Sequence, residues 1–120
     1  MSAPATTPLF SHVQQDLLRV LGYLQLQHGD AGKAATIFDV LSTISPSDSQ
    51  LALSHACSLL RAMQPAAALA ALDQRAFSGA HLTLAWLLRG QALSRLGRVA
   101  ESARAMRMFI RQRRADQGRG

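Results

Sequence analysis

The stretch LGYLQLQHGDAGKAATIFDVLSTISP, Leu21–Pro46, decides the fold. It reads as the end of one helix, a turn at HGDAGKA, a second helix rich in small residues, and a proline that closes it. Gly22 falls inside the first helix pattern, where glycine costs about 0.5–1 kcal/mol relative to alanine. A glycine kept at such a place needs an offsetting reason. The spacing of Gly22 and Gly29 returns in LLRGQALSRLG, Leu87–Gly97, as Gly90 and Gly97.

Gly22 and Gly90 lie 68 residues apart, twice 34. A period of 34 is that of the tetratricopeptide repeat, a helix–turn–helix unit. A middle copy is found by shifting each position by 34. Gly22 maps to Ala56 and Gly90, all small; Leu18 maps to Ala52 and Trp86. Ala34 maps to Ala68 and Ser102, and Phe38 to Leu72 and Met106. The middle copy breaks where Gly29 maps to Met63, where Pro46 maps to Ala80 and where Leu21 maps to His55. The register nevertheless holds throughout. It assigns Gly22, Ala56 and Gly90 to a close approach of the paired helix, with Ala34, Ala68 and Ser102 as the small residues facing them. Gly29 and Gly97 are assigned to helix ends in the left-handed conformation.

The expected fold is therefore all-α: a right-handed superhelix of three tetratricopeptide-like repeats, near 15–48, 49–82 and 83–114. Six helices are expected near 10–28, 31–44, 48–62, 65–74, 80–96 and 99–114. Residues 1–9 are expected to be a disordered tail, residues 10–114 a single domain, and residues 115–120 a frayed end. Ser47 or Asp48 is the expected N-cap of the third helix, and Pro65 suits a helix start. Composition agrees, because Ala, Leu, Arg and Gln dominate and favour helices, while aromatics are only 5% of 120 residues.

Composition also excludes function classes. Cys57 is the only cysteine, so no internal disulfide forms, which fits a reducing compartment. MSAPATTPLF lacks the basic and apolar regions of a secretion signal, and no apolar run reaches the ~20 residues of a membrane span. A cytoplasmic protein is expected. The four histidines, His12, His28, His55 and His81, are not at ligand spacing with a carboxylate or the cysteine, so no metal is expected. Ser54, His55 and Cys57 cannot pair catalytically from neighbouring positions on one helix. Phosphate-binding glycine loops are absent. No enzyme activity, catalytic residue or cofactor is expected.

Stacked helix pairs curve, and the first helix of each pair lines the concave side. The residues assigned to that groove are Asp16, Arg19, Tyr23, Leu26 and Gln27 in repeat one. Repeat two supplies Gln50, Leu53, Cys57, Leu60 and Arg61, and repeat three Leu84, Leu87, Gln91, Ser94 and Arg95. An apolar strip runs along the centre through Tyr23, Leu26, Leu53, Leu60, Leu84 and Leu87, which suits an amphipathic helix laid in it. The alternative is that these leucines are core. On the groove reading, Leu60→Arg abolishes partner binding and leaves helical content intact.

The net charge is +6, and seven of the thirteen basic residues lie from Arg98 onward. Arg104, Arg107, Arg111 and Arg114 follow helical spacing and share one face. Val99, Ala103, Met106 and Ile110, with Phe109 beside them, are assigned to the packed face. A solvated outer face is what a terminal repeat needs, and cations near a helix C-terminus are favoured by its dipole. An acidic protein or nucleic acid is the alternative occupant; the shortage of aromatics to stack on bases weighs against the latter.

At Gly22, Tyr23, LQLQ (Leu24–Gln27), Gly29, Ala34, Leu41 and Pro46 the chain resembles the SctY (YscY-like) family, tetratricopeptide chaperones of bacterial type III secretion. The resemblance is best over residues 17–46 and stays in register from Leu82 to Arg111. The middle copy and the arginine-rich end depart from it. The resemblance implies a cytosolic chaperone that holds a helical part of SctX, a small export substrate, in its concave surface. It further implies that the pair engages the export gate SctV at the inner membrane. A chaperone of the needle subunit, and a basic helical adaptor for nucleic acid or a regulatory protein, are the alternatives.

Overall fold

A computed structural model describes residues 11–118; the expected tail at residues 1–9 lies outside them. The described chain forms six helices: α1 (His12–His28), α2 (Ala31–Ile44), α3 (Ser49–Arg61), α4 (Pro65–Asp73), α5 (Gly79–Arg95) and α6 (Val99–Gly118). They form three helix–turn–helix pairs, and each pair packs on the next along an array 58 Å long. The helical-repeat fold expected from the 34-residue register is the fold observed.

Local signals set the boundaries. Ser11 starts α1 with a reciprocal capping box: its hydroxyl accepts from Gln14 N–H, and the Gln14 side chain accepts from Ser11 N–H. Asp30 caps α2 by accepting from Gly32 and Lys33, and Asp48, rather than Ser47, caps α3 by accepting from Leu51. Such caps stabilise a helix by ~1 kcal/mol each. Pro65 occupies the first turn of α4, where its missing N–H has no intrahelical acceptor to lose.

The internal glycines follow from packing. A Cβ on Gly22 would lie 2.9 Å from Phe38 Cζ and 3.2 Å from Ile37 Cγ2. On Gly90 it would lie 2.5 Å from Met106 Sδ, and the Ser102 hydroxyl donates to the Gly90 carbonyl at 2.7 Å. Ala34, Ala56 and Ala68 are fully buried. Three clusters carry the core: Ala34, Phe38, Leu41 and Leu51 between α2 and α3; Leu53, Ala56, Leu72 and Ala85 across α3, α4 and α5; and Ala35, Leu59, Leu60, Ala68 and Ala92 across α2 to α5. Each large apolar side chain so buried stabilises by roughly 1.5–3 kcal/mol. Tyr23 packs edge-on against Phe38, with ring centroids 4.9 Å apart.

The turns correct two expectations. Gly97 has φ 76°, the left-handed end expected of it, but Gly29 does not: its φ is −126°. There the Gln25 side chain folds over the end of α1, accepts from Asp30 N–H at 3.0 Å, and occupies the space a Cβ would need. In the middle repeat Met63 adopts φ 63° without being glycine. Met63 N–H donates to Leu60 O and Gln64 N–H to Leu59 O, and the same pair recurs as Gly97 to Ser94 and Arg98 to Leu93. Both are Schellman closures, so the apparent break at Met63 preserves the backbone geometry.

The last helix differs from expectation in length and in face. It runs to Gly118, so residues 115–118 are helical. The Asp116 carboxylate accepts from the Thr83 hydroxyl on α5 and from the Gln112 side chain, which ties down the final turn. The packed face is centred on Ser102, Ala105 and Phe109, with Ala105 buried, whereas Val99, Ala103 and Ile110 are exposed. Met106 and Phe109 are half-buried as the edges of that face. The arginines at 104, 107, 111 and 114 are exposed.

Candidate functional site

The first helices of the three pairs enclose a cleft of about 270 Å³ lined by Tyr23, Leu26 and Gln27 from α1, Gln50, Leu53, Ser54, Cys57 and Arg61 from α3, and Leu84, Leu87 and Leu88 from α5. Every helix contributes residues three, four or seven apart, one face of each. Leu53, nearly fully buried, forms the floor; Leu84, 43% exposed, stands on the rim. The volume lies just below the roughly 300–1,000 Å³ of small-molecule sites, and the cleft is open along the array. It offers apolar contact to side chains projecting from an extended partner.

Polar groups fix the walls. The hydroxyls of Tyr23 and Ser54 are hydrogen-bonded at 2.9 Å, which joins α1 to α3 across the cleft. Arg61 Nη1 donates to the Leu26 carbonyl at 3.1 Å, and Arg95 Nη1 donates to the Leu60 carbonyl, the same bond one repeat later. Both arginines thus meet the carbonyl end of a preceding first helix, where a cation is favoured. Their role is to join repeats, and Arg61 does so while lining the cleft.

Of the residues assigned to the groove, Tyr23, Leu26, Gln27, Gln50, Leu53, Cys57, Arg61, Leu84 and Leu87 come together in this cleft. Leu60 does not. It is 2% exposed and packs in the core with Ala35, Leu59, Ala68 and Ala92. Leu60→Arg would bury a charge, so it cannot probe binding with the helices intact. Arg19 turns away to pair with Asp48, the N-cap of α3, at 3.4 Å. Gln91, exposed, borders a separate shallow depression with Gly90, Ser94, Arg95, Ser102 and Met106. Asp16 is exposed outside the cleft. Ser54 and Leu88 line it without having been assigned to it. The signal for Ser54 was its place one turn before Cys57 and one turn after Gln50.

A second concavity of about 270 Å³, lined by α2, α3 and the end of α4 with the residues after it, is about half polar: Asp39, Ser42, Thr43, His55, Gln74 and Arg75 share it with Pro46, Ala52 and Ala71. Burial holds the His55 imidazole below its ordinary pKa, with nearby Asp39 acting in the opposite direction. Ser42 Oγ and Arg75 Nε are buried without a hydrogen-bond partner among the described residues. The size and polarity suit bound water. Among the described residues no group of three or more His, Cys, Asp and Glu side chains could hold a metal ion, and no helix is long and apolar enough to cross a membrane.

The chain matches no protein-family model, no curated protein and no solved structure.

Proposed function

We propose that this chain is a small helical-repeat chaperone of type III secretion, in which the cleft between α1, α3 and α5 holds an amphipathic helix of an SctX-like export substrate. The observation that carries the reading is the cleft itself: an open apolar trough built from the same face of three consecutive first helices. A helix laid along such a trough places apolar side chains between Tyr23, Leu53, Cys57 and Leu87, and exposes its polar face to water. Tyr23, Leu26 and Gln27, within the stretch that carries the resemblance to the SctY family, build one wall. The loaded chaperone would act in the cytoplasm and bring its cargo to the export gate SctV at the inner membrane.

Binding that selects the folded form raises its stability by mass action. Co-expression of the tagged chain with the small reading frames beside it in its genome tests the proposal, with co-eluting proteins identified and melting temperatures compared. An SctX-like protein that co-elutes, raises the melting temperature and is lost on Leu84→Arg supports it. Leu84 is the position for that variant because its exposure lets a charge stand in water. Recovery of a needle-subunit-like protein would place the cleft in the sister chaperone family. Elution of a well-folded chain alone, or with nucleic acid, would overturn the cleft reading.

A further inference from the structure

In the 34-residue register the cleft crosses the three first helices obliquely. α5 contributes Leu84, Leu87 and Leu88, whose equivalents in α3 are Gln50, Leu53 and Ser54. α1 contributes Tyr23, Leu26 and Gln27; the equivalents of Tyr23 and Gln27 in α3 are Cys57 and Arg61. Only α3 lines both halves, from Gln50 to Arg61, about 16 Å of helix. The two ends therefore differ in chemistry. The α5 end is made of leucines. The α1 end carries Tyr23, Gln27 and the guanidinium of Arg61, the last residue of α3.

Arg61 is the one charged side chain that lines the cleft. The hydroxyls of Tyr23 and Ser54 are spent on each other, and the amides of Gln27 and Gln50 can donate or accept. Arg61 can only donate. Its Nη1 is held on the Leu26 carbonyl, and among the described residues no carboxylate pairs with it. None of the seven acidic side chains lines the cleft; Asp48, Asp73 and Glu101 are already paired with other arginines. A helix laid over this end strips water from the remaining N–H groups of Arg61. An apolar residue set against them leaves a covered charge without a partner, which is costly. A lysine or arginine there meets like charge. A carboxylate fits the guanidinium edge with two parallel bonds. The leucines alone accept any amphipathic helix, and Arg61 narrows the choice.

On the reading that the cleft holds a helix, we propose that Arg61 is its specificity residue. The occupant is an acidic amphipathic helix: its apolar residues seat on Leu53, Leu84 and Leu87, and an Asp or Glu beyond them meets the Arg61 guanidinium. The bond to Leu26 holds that guanidinium in place for the contact. Arg95 supplies the control, because it makes the equivalent bond to Leu60 one repeat later and lies outside the cleft. The test uses the full chain as bait for a displayed library of randomised helical peptides. The wild type should select apolar residues at helical spacing with Asp or Glu at one fixed position beyond them. Arg61→Glu should select Lys or Arg at that position. Arg61→Gln and Arg95→Gln each remove a bond between repeats and should lower the melting temperature alike, but only Arg61→Gln should lose the acidic preference. A selected acidic peptide should bind Arg61→Gln about tenfold more weakly than the wild type, with the difference shrinking at high salt. An Arg61→Gln chain that keeps the preference, or an Arg95→Gln chain that loses it equally, would overturn the role of Arg61. Peptides without an acidic preference, whose binding Leu84→Arg abolishes, would overturn it and leave the cleft reading standing. Selection that Leu84→Arg does not disturb would overturn both.

Discussion

Gly22 beneath Phe38 and Gly90 beneath Met106 flank a middle repeat in which Ala56 shares a buried cluster with Leu72. The aromatic ring and the long thioether lie over glycine, and the shorter leucine goes with alanine. Met63 stands where Gly97 stands one repeat later, yet φ is 63° against 76° and the same two hydrogen bonds close the helix. Residue by residue the middle copy looks worn. In paired volume and backbone path it is intact. What the repeat preserves is a sum of sizes across a helix pair and a turn geometry, so several residue combinations satisfy it.

The comparison breaks most sharply at Leu60, because its counterparts Leu26 and Ser94 line a cleft and face solvent, while Leu60 has neighbours on both sides. Leu60→Arg should cost about 3–5 kcal/mol by leaving a buried charge without a partner. Ser94→Arg should stay within about 0.5 kcal/mol. Denaturant unfolding of the two variants measures the contrast.

Size pairing is tested next. Gly22→Ala should cost about 1–2 kcal/mol, since overpacking against the Phe38 ring exceeds the gain in helix propensity. Gly90→Ala should change stability by less than about 1 kcal/mol, because the atom in its way is the flexible Met106 thioether. In a double-mutant cycle, Gly22→Ala with Phe38→Leu, which copies the middle repeat, should recover about 1 kcal/mol relative to the sum of the single changes.

The turn is a smaller lever. Met63→Gly should stabilise by about 0.5–1 kcal/mol by relieving a left-handed conformation that side chains disfavour, whereas Gly97→Ala should destabilise by about 1 kcal/mol. Thermal melts of both variants check the opposite signs.

The smallest effect is one of pH and belongs to the middle repeat, where His55 replaces the leucine found at position 21. Its pKa is lowered on folding by burial, so the unfolded chain binds the proton more readily. Its stabilising contribution is therefore complete above the ordinary value of 6.5 and is lost as pH falls through the lower folded pKa. His55→Gln should flatten the stability profile below that value.

The register and helix limits were legible to within a few residues because capping groups, Pro65 and the glycines mark them locally. Residues 115–118 were not, since the tie from Asp116 to Thr83 spans 33 positions and leaves no local mark. The cleft was legible on the shared face of the first helices, as at Tyr23, Cys57 and Leu87, but its extent was not: Gln91, one repeat on from Cys57, and Arg19, one repeat before Leu53, lie outside it. Leu60 escaped because its burial depends on Ala35 and Ala92 from the repeats on either side. The face of α6 escaped because Ala105, its buried centre, is too small to stand out beside Val99 and Ile110, which an apolar pattern weights more heavily.

Arg61 reaches back to Leu26 and Arg95 to Leu60, each across 35 positions. Such rivets join each unit to its neighbour, so the chain behaves as a short one-dimensional lattice whose stability divides into units and joints. Gln27 stands at the arginine position of repeat one. A fourth unit grafted ahead of α1 would meet glutamine at the joint, and Gln27→Arg would supply there the donor that Arg61 and Arg95 supply at the other two.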